Sequence, residues 1–156
     1  MNVSNIQILL LRLAIGGLFL SLGLDKYHEG WLNNAEPLTE SLVNYHQHAA
    51  GPQLIYLDHV AIPYTGVWAK LMTIGELGVA ASLLLGLLVR FSSFIGIVMV
   101  LNFHAATGNL FSLNFFGSPW AALLVAGLLL LMFARAGRWA GFDALLAKAN
   151  SKGLLW

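Results

Sequence analysis

Four stretches of this chain are too apolar and too long to rest anywhere but in hydrocarbon, and they fix its fold class before any motif is read. A helix needs about 20 mostly apolar residues to cross a bilayer core. Residues 6–24, 67–89, 91–107 and 120–136 meet that pattern; the third and fourth are the shortest, and 120–134 carries no charge at all. The whole chain of 156 residues is 58% hydrophobic and 10% charged, against about 45–50% and 25% for a soluble domain. A fold this small leaves much of its surface exposed, so water cannot be the solvent for that composition. The expected architecture is all-α: one membrane domain over residues 1–156, built as an integral membrane four-helix bundle.

The connections support four spans. Arg90, Phe91, Ser92 and Ser93 are almost all that separates the second from the third, so those helices are antiparallel neighbours. Residues 108–117 form an uncharged turn region, and Ser118 followed by Pro119 suits a hydroxyl cap and a first-turn proline. No Lys or Arg precedes the first run, and Gly23-Leu24-Asp25-Lys26 lacks a small-residue cleavage pattern, so that run reads as a retained span. With four spans, Arg90, Arg135, Arg138, Lys148 and Lys152 all fall on one face, the cytoplasmic one by the positive-inside rule. Both termini are then expected inside. The same count puts residues 25–66 outside. Within them Pro37 to Ala50 reads as an amphipathic helix with Leu38, Leu42, Tyr45 and Ala49 on one stripe, stopped by Gly51-Pro52. Leu54 to Ile62 reads as a second short element lying on the membrane. Trp31, Tyr45, Tyr56, Tyr64 and Trp68 suit the headgroup level.

Charge inside the spans is where chemistry is expected. An ion at mid-bilayer costs about 2.5–3.5 kcal/mol on insertion scales and usually faces a partner inside the bundle. Arg12, Gly16, Phe19, Gly23 and Lys26 form one helical stripe, two cations separated by glycines that admit a neighbouring backbone. Glu76 is the expected partner of Arg12: at 1.5 Å per residue their backbones differ in depth by under about 10 Å. Such a pair reads either as a structural lock between the first two helices or as a polar pocket for a proton or a carrier headgroup. His104 lies in the outer part of the third span, at a depth where it can share a cavity with Glu76. It reads as an interfacial residue reaching for water, as a donor to a quinone carbonyl, or as an axial ligand; a bis-His haem would need a second intramembrane histidine, and none exists in the sequence. Asn102 points nearly the opposite way and is not expected to face the same pocket.

No metal site is expected. His28, His46, His48 and His59 read as solvated loop residues, since His46-x-His48 diverges on a helix. The chain has no cysteine, which excludes disulfides and thiolate-held clusters. Its net charge of +1 argues against nucleic acid.

Leu11-Arg12-Leu13 with Gly16-Gly17, Gly23-x-x-Lys26, Gly75-Glu76, Leu85-Gly86-Leu87-Leu88-Val89-Arg90, His104, Ala136-Gly137-Arg138 and Gly141-x-Asp143 follow one another along the chain. In this order they resemble the DoxX/DoxD family of small bacterial and archaeal membrane proteins. The resemblance implies a four-helix membrane fold, a multi-pass place in the bacterial inner membrane, and association with respiratory redox systems. One branch of that family supplies the small subunit of thiosulfate:quinone oxidoreductase, and other members are accessory proteins. Arg12, Lys26, Glu76, Arg90 and His104 carry over as motif positions.

The leading expectation is a membrane subunit of a quinone-linked redox system. Glu76 and His104 are the candidate catalytic residues, handling protons. Arg12, Lys26, Glu76 and His104 are the candidate quinone pocket. Electrons would come from a partner subunit. The rival expectation is a non-catalytic accessory or anchoring subunit of a larger respiratory or photosynthetic complex, surrounded by membrane lipid and a partner or further copies of itself. A small transporter using Arg12 and Glu76 is a third reading, but the sequence shows no broken helix or repeat symmetry.

Overall fold

The computed structural model describes residues 3–111, 114–117, 119–134, 136–138, 141–144 and 148. Helix α1 spans Val3–His28, α2 Glu36–Gln47, α3 Pro52–Tyr56, α4 Thr65–Leu85, α5 Val89–Ala106, α6 Asn114–Gly117 and α7 Pro119–Phe133. A π-helical turn, Leu57–Ala61, continues α3. The described residues contain no strand. Helices α1, α4 and α5 are long and apolar enough to cross a membrane; α7 is apolar but shorter.

The exterior is unlike that of a soluble protein. Leu10, Leu71, Ile74, Phe94, Leu123 and Phe133 face outward, while Arg12, Thr73, Glu76, Ser93 and His104 are buried. In water so continuous an apolar exterior would be an aggregation surface; in lipid it is the solvated one. The chain is a multi-pass membrane protein.

Glycine decides how closely the first two long helices approach. α1 packs along α4 more extensively than any other two helices meet. A Cβ on Gly16 would stand 3.1 Å from the side chain of Leu84, and one on Gly23 would stand 2.9 Å from that of Leu77. The stripe from Arg12 to Lys26 is therefore the face that α4 covers. α5 packs on α4 and α7, and α7 also reaches α1. The inner core joins Ile15, Phe19, Leu83, Val89, Leu128 and Leu131. A second core joins Leu38 and Leu42 of α2 to Leu57, Ala61, Ala69 and Ala106, so the segment between α1 and α4 docks on the long helices.

Three boundaries differ from the sequence expectation. α1 extends by several residues beyond 6–24 at its outer end, which carries Lys26 within the helix. The turn between α4 and α5 lies at Gly86–Leu88, before Arg90. Gly86 adopts a left-handed conformation, φ 68°, and closes α4 as a C-cap glycine does; reading 67–89 as one run overlooked that stop. Leu88 is also left-handed, φ 53°, and α5 starts at Val89. α2 ends at Gln47, a turn before Gly51-Pro52, and Pro52 opens α3 instead. Ser118, the expected cap of the last span, lies outside the described residues, as do Arg135 and Lys152.

Candidate functional site

The expected contact between Arg12 and Glu76 does not form. Arg12 is 2% exposed, and its Nη1 donates to the carbonyl of Ala136 at 3.0 Å. Asp143 adds an electrostatic attraction. That carboxylate does further work at the same end. Its Oδ1 accepts from the Leu88 amide at 2.6 Å and its Oδ2 from the Val89 amide at 3.1 Å, capping the N-terminus of α5. The Asp143 amide donates to the Gly86 carbonyl at 2.9 Å. Gly86 is required here twice over: by its positive φ, and because a Cβ would stand 2.6 Å from the Cα of Gly141. Arg12, Gly86, Gly141 and Asp143 thus make one closed polar knot that ties α1, the α4–α5 turn and the segment after α7.

Glu76 pairs instead with Lys26. The Lys26 ammonium donates to Oε1 at 2.9 Å and lies 2.8 Å from Oε2. The same nitrogen sits 5.5 Å from the centroid of the Trp31 ring, a cation–π distance. The reason is depth. Arg12 and Lys26 share a stripe but are about 21 Å apart along it, and Glu76 lies at the outer end, where α1 has been lengthened to present Lys26.

Beside this pair is a cavity of about 270 Å³. Phe19, Leu22 and Lys26 line it from α1, and Trp68, Met72 and Glu76 from α4. From α5 come Val100, Asn102, Phe103 and His104, and from α7 Trp120, Ala121 and Leu124. Leu38, Leu42 and Tyr45 of α2, with Tyr56 of α3, form the cover. Of the sequence candidates, Lys26, Glu76 and His104 share this cavity and Arg12 stands outside it. Asn102 also lines it, against expectation. The helix periodicity is intact, but α3 folds over the other side of α5 and Tyr56 faces Asn102, so the cavity wraps around the helix end.

His104 is 8% exposed and is held by ring edges: its centroid lies 5.4 Å from those of Phe103 and Phe115, nearly perpendicular to both. Among the described residues its Nδ1 has no hydrogen-bond partner. A buried polar atom in that state costs about 1–3 kcal/mol, unless something in the cavity accepts from it or donates to it. In the cover, burial pushes the Tyr56 phenol above its ordinary value, against a smaller opposing effect of Asn102.

Trp31, Tyr45, Tyr56 and Trp68 were expected at the headgroup level; the cavity recruits all four, and Tyr64 alone of that set stays off its wall. The sequence signal that separates them is weak. Tyr45 lies on the buried stripe of α2, and Trp68 precedes Met72 and Glu76 by one and two turns of α4. Outside the cavity, His46 Nε2 stands 2.8 Å from Asp58 Oδ1, both exposed, joining α2 to the π-helical turn.

The DoxX family model matches residues 7–107, well over half of the chain and the part that holds Lys26, Glu76 and His104. The chain belongs to the DoxX family. No curated protein and no solved structure gives a significant match. Within this DoxX protein the matched region covers most of α1, all of α4 and α5, and the segment between α1 and α4. The Asp143 knot lies beyond it.

Proposed function

We propose that this DoxX protein is a quinone-binding membrane subunit of a redox system, crossing a bacterial inner membrane four times with both ends in the cytoplasm. The contact between Arg12 and Ala136 supports that topology, since it brings the start of α1 and the end of α7 to one end of the molecule. α7 spans only about 22 Å of a core near 30 Å, and the described turn Ala136–Arg138 prolongs it.

The observation that carries the quinone reading is the unpartnered Nδ1 of His104 in an aromatic-lined cavity that also holds an ion pair. Apolar walls with a few convergent polar groups are the usual make-up of a small-molecule site. A quinone supplies a flat ring with two carbonyl acceptors, and a bound quinone takes up two electrons and two protons to become the quinol. His104 and Lys26 are the donors to those acceptors. Lys26 also stabilises negative charge as it develops. Glu76, bonded to Lys26, and His104 are the groups placed to pass protons. The electrons come from a partner subunit oxidising its own substrate, a sulfur compound in the branch of the family named above. The cavity is close to the lower end of typical ligand sites, about 300 Å³, and matches a single ring.

The test is the quinone content of the protein purified in mild detergent, measured by solvent extraction and chromatography. Retained quinone is expected in the parent and lost in Glu76→Gln and His104→Phe. A stoichiometric partner subunit, no quinone, and unchanged activity of the complex on both substitutions would establish the anchoring reading in its place. The closed Lys26–Glu76 pair, each ion already neutralised by the other, is the observation that favours that rival.

A further inference from the structure

The residues that line the cavity differ sharply in exposure according to the element they come from. Every lining residue of the cover, from Trp31 through Ala61, is buried or half-buried. The exposed ones are Leu22 on α1 at 37%, Phe103 on α5 at 47% and Trp120 on α7 at 82%. All three are apolar and all three sit on membrane-crossing helices. Trp120 is in the first turn of α7, which begins at Pro119, and Leu22 is in the last third of α1, which runs on to His28.

From this we infer that the cavity opens sideways into the bilayer, past Leu22 and Trp120, and that its ligand is a ring headgroup bearing a hydrocarbon tail and delivered from the lipid. The inference rests on the ring-binding reading given above and adds the route and the tail. A headgroup held near His104 and Lys26 leaves its tail somewhere. With the mouth on the spans the tail stays in hydrocarbon throughout, so only the headgroup changes environment. With a mouth through the cover the tail would be drawn toward water, and each exposed methylene would oppose binding. A tailed ligand therefore belongs with a side opening, and a small water-soluble ligand with an opening through α2.

The experiment uses the full chain in lipid nanodiscs and a dimethoxy-methyl-benzoquinone carrying a diazirine partway along an alkyl tail. After photolysis, labelled peptides are mapped by mass spectrometry, with and without an excess of the same quinone lacking the tail. Labelling of peptides around Leu22 and Trp120 that the tailless quinone suppresses severalfold is the expected result. Suppressible label confined to α2 and α3 overturns the side opening while leaving ring binding intact. Label that the tailless quinone suppresses nowhere, the lipid-facing background alone, overturns the ring-binding reading and the side opening with it. In the second arm, Leu22→Trp narrows the mouth; it is expected to cut the suppressible label at Trp120 severalfold, and undiminished label there overturns the route.

Discussion

The Lys26–Glu76 pair is the point where the two readings of the site make a measurable claim. The side chains are 18% and 11% exposed, so each ion is largely out of water and depends on the other. Removing one member of a buried pair strands its partner, at a cost of about 3–5 kcal/mol; partial solvent access should bring this case to about 2–3 kcal/mol on the same scale. Lys26→Met leaves a carboxylate against Trp68 and Met72, and is expected to cost that amount. Glu76→Gln leaves an ammonium that can still face Trp31, and is expected to cost less. The double variant buries neither ion and should recover most of the loss, leaving a coupling of about 2 kcal/mol. The assay is reversible unfolding in mixed micelles as denaturing detergent is added, on all four proteins. A parallel cycle between Arg12→Met and Glu76→Gln should be additive within about 0.5 kcal/mol, because sites more than about 10 Å apart rarely couple. Additivity for Lys26 and Glu76, or strong coupling for Arg12 and Glu76, would refute the assignment of partners.

Three further outcomes follow from the knot and the cover. Asp143→Ala removes the carboxylate from two amides at the start of α5 and one cation's counter-charge, and should lower stability by about 1–3 kcal/mol in the same unfolding assay. Gly86→Ala forces a Cβ into a left-handed turn that already touches Gly141, and should cost more than the 1–2 kcal/mol of the conformation alone, read as loss of folded protein after extraction. Tyr56 tests the cover by pH. Its phenol is held neutral in the folded chain beyond the point, about 10, at which an unfolded tyrosine ionises. The unfolded state then sheds its proton first, so this contribution is complete below about pH 10 and falls as pH rises through it. Ultraviolet titration should show a phenol that ionises above about pH 10 disappear in Tyr56→Phe, and unfolding measured on both sides of pH 10 should show a smaller alkaline loss in that variant.

What was legible in the sequence was set by composition and period. Long apolar runs announce spans because lipid leaves no other place for them, and Leu38 and Leu42 announce the docked face of α2 because alternate faces of a helix meet different solvents. The glycines at 16 and 23 were read correctly as a close approach for the same reason. Partnership was not legible. Arg12, Lys26 and Glu76 lie on compatible stripes, and periodicity says which way a residue points without saying how far along a neighbour it stops. The partner of Glu76 depended on where α1 ended, and the apolar run ended before the helix did. Asn102 was misplaced because a period describes one helix, whereas its surroundings depend on α3 folding over it. The aromatic residues of the cover look alike in sequence whether they face headgroups or a cavity. Asp143 was visible as part of a motif, but its role required knowing that the chain returns to the turn at Gly86.

That return has a consequence for how the protein is made. The amide of Leu88 receives its cap from a residue 55 positions later in the chain. At synthesis rates of about 5–20 residues per second, Leu88 is added to the chain roughly 3–11 seconds before the carboxylate that caps its amide exists. Until then the left-handed Leu88 is held only by bonds within its own hairpin, such as Leu87 N–H to the Ser82 carbonyl, and the guanidinium of Arg12 lacks its Ala136 acceptor. A later segment is thus the latch for an earlier one, and a chain cut short after α7 would present an open knot to the membrane's quality-control proteases.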